Sequence, residues 1–198
     1  MIIRNVLKSS MIILFYINVA TCWNPTNYPF LPASTDRTNV RQFVIDAQGA
    51  NKKILDIGCG TGQSTSSTQG SLGIDSDRRL IRRAEKLFPH KRFKLGVVGS
   101  WNRATKYDIV TCMFYFHKIP RYLRKAIIVN AIHIATERVV IVDVSPEYKD
   151  YIAMSHANPF MPDYIKTCRC DLDHYNFTET VLADGLLNIW ILEQENNP

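Results

Sequence analysis

The sequence lacks a cysteine framework. Five cysteines occur in 198 residues, and the one close pair, Cys168 and Cys170, is C-x-C with no second pair to match it. That is not a zinc spacing, so no metal site is expected. Buried or incidental free thiols of this kind point to a reducing compartment. Low-complexity tracts and internal repeats are also missing, which leaves the composition of an ordinary globular protein. No apolar run is long enough for a stable membrane span. What is there suffices for one domain, or one domain plus a leader, with a sizeable buried core.

The formal charge is +6, and much of the excess is concentrated. Arg78, Arg79, Arg82, Arg83, Lys86, Lys91, Arg92 and Lys94 follow one another closely. Arg78/Arg82 and Arg79/Arg83 repeat at i,i+4 and stripe one side of a helix. A solvated helix face explains this; so does a patch for phosphates or an acidic partner. No aromatic residues interleave for base stacking, so RNA is weakly supported as a partner.

Residues 1–39 read as a leader, outside the fold. Arg4 and Lys8 precede the apolar run Met11–Ile17, and Ala20-Thr21-Cys22-Trp23 places small residues before an aromatic. This is the pattern of a signal peptide, and its junction resembles the bipartite presequence of algae with secondary plastids. Cleavage near Cys22-Trp23 is expected. The location is then a plastid, or otherwise the cytoplasm or secretory pathway.

The densest information lies in Ile54-Leu55-Asp56-Ile57-Gly58-Cys59-Gly60-Thr61-Gly62. An apolar strand runs into glycines at every second position, which reads as a tight turn whose backbone approaches a ligand. A second apolar run ends in Asp75. A glycine turn after one strand and an acid closing the next is how a doubly wound sheet holds a nucleoside. Dinucleotide folds share that logic, but their fingerprint is G-x-G-x-x-G. Here the spacing is G-x-G-x-G, and Asp56 before the turn suits a cationic ligand better than a pyrophosphate.

Segment 54–62 resembles motif I of the class I S-adenosylmethionine-dependent methyltransferases, often written (V/L)-(L/V)-D-(I/L)-G-C-G-T-G. The remaining pattern agrees with that family over residues 40–193. A helix is expected over Val40–Gln48 and strands over Lys53–Ile57 and Ser71–Ile74. A basic helix over Asp77–Phe88 is stopped by Pro89. Strands follow at Phe93–Val98 and Tyr107–Met113, the latter apolar as a central parallel strand should be. A helix at Arg121–Thr136 and a strand at Arg138–Val144 come next. Thr178–Leu182 and Leu187–Leu192 flank Ala183-Asp184-Gly185, a hairpin signal. The expected fold is α/β: a doubly wound, mostly parallel seven-strand sheet of Rossmann-like methyltransferase type, closed by a C-terminal antiparallel hairpin. One departure stands out. Gly62–Gly70 leaves room only for a short helix, and Gln63–Thr68 is a poor helix former.

The resemblance implies S-adenosylmethionine as cofactor and distributes its parts. Asp56 is placed for the ammonium of the amino-acid tail, or alternatively caps the turn. Gly58, Cys59, Gly60 and Gly62 form the backbone against tail and ribose. Asp75 accepts both ribose hydroxyls, and Ser76 lines the adenine. The family often has an acid at the end of strand three. Here Val97 and Val98 stand there, leaving Val98 as an apolar adenine contact. Cys112 and Met113 match motif IV beside the donor. Thr-Cys-Met-Phe there is not the Asn-Pro-Pro-Tyr of amino-methyltransferases acting on adenine or glutamine.

Phe114–Pro120 resembles the F-x-x-H-(E/x)-(I/L)-P turn of small type 11 methyltransferases, making His117 the candidate catalytic base or a loop anchor. Tyr115 and His156 are further candidates. An insert from Asp143 to Asn176, with Phe160, Met161 and Tyr164, is positioned to cover a substrate. Its aromatics suit a flat or lipidic acceptor, and core packing explains them equally. The leading expectation is methyl transfer to a small-molecule acceptor by in-line displacement. The alternatives are an RNA or protein methyltransferase docking through residues 78–94, and a non-catalytic binding protein of the same fold.

Overall fold

A computed structural model describes residues 37–49, 51–97, 104–149, 151–182 and 185–194. The expected leader and its cleavage site lie outside the described residues. In chain order the elements are α1 (Arg37–Ala47), β1 (Ile54–Ile57), β2 (Leu72–Asp75), α2 (Arg78–Leu87) and β3 (Phe93–Leu95). Then come β4 (Tyr107–Met113), a 3-10 turn (Phe116–Lys118), α3 (Arg121–Ile134) and β5 (Ala135–Val144). Two short helices, α4 (Tyr151–Ser155) and α5 (Met161–Thr167), precede the hairpin β6 (Phe177–Leu182) and β7 (Leu187–Glu193).

The sheet order is β3-β2-β1-β4-β5-β7-β6. β1 to β5 run parallel, and β7 is antiparallel to both β5 and β6. This is the seven-strand arrangement expected from the sequence. The winding reverses between β1 and β4, so a crevice opens past their C-terminal ends, where open α/β sheets bind ligands. Ile57 at the end of β1 is level with Ile74 on one side and Cys112 on the other. The loops after β1, β2 and β4 therefore converge.

Alternation along the strands splits the core in two. Leu55, Ile57, Val110, Cys112 and Ile141 face Ile127, Ile128, Ala131 and Ile134 of α3 together with the insert. Ile54, Ile109, Met113, Val140 and Val142 face Val40, Val44 and Ile45 of α1 and the hairpin residues Leu187 and Ile189. Each fully buried aliphatic side chain contributes about 1.5–3 kcal/mol. α2 buries only Ile81 and Ala84 and is capped by Asp77, whose carboxylate accepts from Arg79 N. Its arginines are exposed.

Three boundaries depart from expectation. No helix forms between Gly62 and Gly70. The hydroxyl side chains there bond elsewhere, as the site shows, and withhold the chain from a helix. α3 stops at Ile134, and β5 already begins at Ala135, two to three residues earlier than expected, because Tyr107 pairs with Ala135. β3 ends at Leu95, short of Val98, which lies outside the described residues. Two further helices, α4 and α5, fill the insert.

Candidate functional site

The turn after β1 is fastened to the end of β2. Gly58 N and Cys59 N both donate to Ile74 O, at 2.9 and 3.0 Å. Gly60 N donates to Asp75 Oδ2 at 2.9 Å, and Asp77 N donates to Asp75 Oδ1 at 2.8 Å. Gly58, Gly60 and Gly62 have φ of 71°, 55° and 85°, a region costly for side chains that carry a Cβ. The three differ in what they face. A Cβ on Gly58 would lie 2.5–2.8 Å from carbons of the Tyr115 ring. One on Gly62 would meet the Phe93 ring at 2.6 Å. Beside Gly60 there is nothing within 4 Å. Gly60 and Asp75 thus border open space, while Gly62 admits the protein's own Phe93.

Asp56 is wholly enclosed. Its carboxylate accepts from the hydroxyls of Ser64 at 2.8 Å, Thr65 at 2.7 Å and Thr111 at 3.2 Å. Burial raises its pKa, and the three hydroxyls only partly offset that. The structure shows the capping arrangement, with the carboxylate stitched to the Ser64–Thr65 loop and to β4 rather than open to the crevice. Lys91 Nζ adds a strut, donating to Gly62 O at 3.2 Å.

Cys59, Cys112 and Met113 are buried. Cys112 and Met113 point to opposite faces of the sheet and fill the two halves of the core. Burial pushes both thiols upward, so neither is a nucleophile. Their contribution to a ligand is confined to the backbone at the strand end. Ser76 is exposed beside Asp75.

Past β4 the chain turns sharply. Phe114 has φ of 56°, a strained conformation for a bulky residue. His117 follows in the 3-10 turn with no exposed surface. Its Nδ1 lies 2.5 Å from Asp143 Oδ1, and its backbone N–H donates to Asp143 Oδ2 at 3.2 Å. Asp143 is equally buried. Burial acts to raise its pKa, but the attraction and hydrogen bonds of His117 outweigh this and hold the carboxyl below its usual range. An ionised carboxylate only accepts, so the ring proton sits on Nδ1. Nε2 has no hydrogen-bond partner among the described residues. The Tyr164 and His117 rings meet edge to face with centroids 6.3 Å apart, and the Tyr164 hydroxyl donates to Val144 O at 2.6 Å. His156 is exposed beyond α4, away from this cluster.

Sequence reasoning missed the partners of these groups: Ser64, Thr65 and Thr111 for Asp56, and Asp143 for His117. Asp143 carried a signal, because an acid near the end of a buried apolar strand mirrors Asp75. Among the described residues no His, Cys, Asp and Glu cluster is arranged to hold a metal, and no helix is long and apolar enough to cross a membrane.

The crevice suits a nucleoside. Each Asp75 oxygen holds one backbone N–H and retains a lone pair for a ribose hydroxyl, and Gly60 leaves room beside it. Residues 54–134 match the model of a family described as a methyltransferase domain. The segment is thus similar to a methyltransferase domain, on a sheet of the class I, S-adenosylmethionine-dependent type. A putative methyltransferase, 235L of Invertebrate iridescent virus 6, is 27% identical over 178 residues, 79% of this chain and 66% of the relative. Trans-aconitate 2-methyltransferase of Rhizobium etli is 30% identical over 78 residues, 36% of this chain and 30% of the relative. The chain thus spans less than two thirds of the length of these relatives. Among solved structures, magnesium protoporphyrin IX methyltransferase from Synechocystis PCC 6803, with bound SAH, superposes with a TM-score of 0.58. It is 15% identical, and 94% of this chain and 95% of that one are covered. A TehB-like SAM-dependent methyltransferase from Corynebacterium glutamicum gives 0.57 at 18% identity, covering 93% and 97%. These establish the fold, and the methyltransferase domain has S-adenosylmethionine as its cofactor.

Proposed function

We propose that the chain catalyses methyl transfer to a small-molecule acceptor by in-line displacement. The observation that carries this is the clamp of Asp75 onto Gly60 N and Asp77 N at the reversal of strand order. Bound S-adenosylmethionine supplies an electrophilic methyl group on a sulfonium. Asp75 holds the ribose hydroxyls, Gly60 gives the backbone clearance, and Ser76 borders the adenine. Positioning and exclusion of water supply most of the rate in such a displacement.

His117 stands on the acceptor side, where the loop after β4 meets the insert. Asp143 fixes its tautomer, leaving Nε2 as the nitrogen able to take a proton from an acceptor hydroxyl or amine. Met154, Met161 and Tyr164 of the insert are buried beside it, and so apolar a setting suits an organic acceptor better than a phosphate backbone. One relative is named for trans-aconitate, a small organic acid. Melting curves test the donor half: S-adenosylmethionine and S-adenosylhomocysteine should raise Tm at millimolar concentration, and nicotinamide dinucleotides should not. A labelled-methyl assay on fractionated extract, with RNA as a parallel acceptor, tests the acceptor half. Label confined to RNA would overturn the small-molecule reading.

A further inference from the structure

One aromatic side chain borders the crevice while packing on the core with only part of its surface. Tyr115 follows strained Phe114, and that left-handed turn sends its ring onto the Cβ-free face of Gly58. The ring is only half-buried. Its phenol is turned toward Ser76 and Asp75, while burial, with Cys112 and Asp75, raises its pKa and keeps it protonated. Tyr115 therefore spans from the glycine turn to the end of β2. These are the same groups assigned above to the tail and ribose of the donor. A bulky residue held at positive φ costs of order 1–3 kcal/mol and persists where something over-determines it. Here the outcome of that strain is a neutral aromatic ring laid with one face on Gly58 and part of its surface exposed at the rim of the crevice.

We infer that Tyr115 recognises the positive charge of the donor through its ring face, and so discriminates S-adenosylmethionine from the uncharged thioether left after transfer. This rests on the proposed function. A cation over a tyrosine face is attracted by the ring quadrupole, and a neutral sulfur of the same shape is not. Asp75 and Ser76 contact parts common to both molecules, so their hydrogen bonds do not distinguish them. The aromatic face is the available source of discrimination on this side of the crevice. It also favours release of the product once the charge is lost.

The test is calorimetric affinity for each of the two ligands. Tyr115→Leu should weaken S-adenosylmethionine binding by about 2- to 30-fold and leave S-adenosylhomocysteine within about twofold. Tyr115→Phe, which keeps the face, should retain the ratio. Phenylalanine analogues of increasing fluorination at position 115 preserve shape and weaken the negative face. Along that series the affinity for S-adenosylmethionine should fall stepwise while that for S-adenosylhomocysteine stays flat. Parallel losses for both ligands, or flat responses for both, would overturn the inference and make Tyr115 a packing residue. Wild-type protein that binds neither ligand would instead overturn the proposed function itself.

Discussion

Asp56 and Asp143 are both wholly buried, one beneath the glycine turn and one beneath the insert, yet their acidities move in opposite directions. Asp56 is surrounded by hydroxyls, which are neutral, and burial prevails. Asp143 faces His117, and the pairing prevails over burial. The donor side is thus held by neutral hydrogen bonds and backbone conformation. The acceptor side is held by ionised carboxylates, Asp143 accepting from His117 and Asp171 paired with a cation. Arg124 extends that difference: it has no exposed surface and donates to Asp171, Asp163, Thr167 and Ile119 O. That cluster ties α3 to α5 and to the end of the insert. A side built on charges is costly to break at one partner, whereas one built on hydroxyls loses its members singly and cheaply.

The most severe effect is expected at His117. Replacement by Ala should lower turnover about 10²–10⁴-fold with donor affinity nearly intact, and erase one limb of the pH–rate profile. A modest fall with an unchanged profile would make it an anchor for the loop. A loss of donor affinity as large as the loss of turnover would move His117 to the donor side of the comparison.

Next comes the buried ion cluster. Asp171→Ala leaves Arg124 short of a buried partner and should cost about 3–5 kcal/mol in urea unfolding. Thr65→Val on the donor side removes one neutral donor and should cost about 1–3 kcal/mol. Equal losses would erase the distinction between the two sides. Asp75→Ala, by contrast, should leave the fold intact and weaken donor binding at least tenfold, since charge-assisted bonds to two hydroxyls are each worth about 1.5–3 kcal/mol.

The smallest effects are in pH dependence, and their signs oppose. Asp143 has a depressed folded pKa, so its contribution is present above about pH 4 and is lost as pH falls through the folded value. Asp143→Asn should flatten the acid limb of stability. Asp56 has a raised folded pKa, so its ionised form is a burden at neutral pH that lightens as pH falls toward that value. Asp56→Asn should remove this gain. Unfolding free energies measured from pH 7 down to pH 3 check both, and slopes of the same sign would break the contrast.

The donor side was more legible in the sequence than the acceptor side for the same reason. Its information is local. Glycines at every second position, an apolar strand before them and Asp75 after the next strand can all be read along one short stretch. The seven-strand sheet was equally readable, because buried parallel strands are continuous apolar runs. On the acceptor side His117 pairs with Asp143 and Arg124 with Asp171, partners brought together only by the sheet order. The Ser64–Thr65 loop was read as a poor helix, but its hydroxyls had no visible target until Asp56 turned inward. The hairpin was marked by turn residues, whereas α4 and α5, at five and seven residues, are too short to leave a period.

Nε2 of His117, without a partner among the described residues, makes this side of the molecule an energetic reporter. A buried nitrogen without a donor carries a desolvation penalty of about 1–3 kcal/mol, which the folded chain bears until something offers it a proton. Molecules with a hydroxyl or amine aimed at that nitrogen should therefore raise the melting temperature without any methyl transfer taking place. Esters and ethers of the same outline should not. The natural acceptor can then be sought among cellular metabolites by heat alone, and an already methylated product would be recognised by its failure to protect.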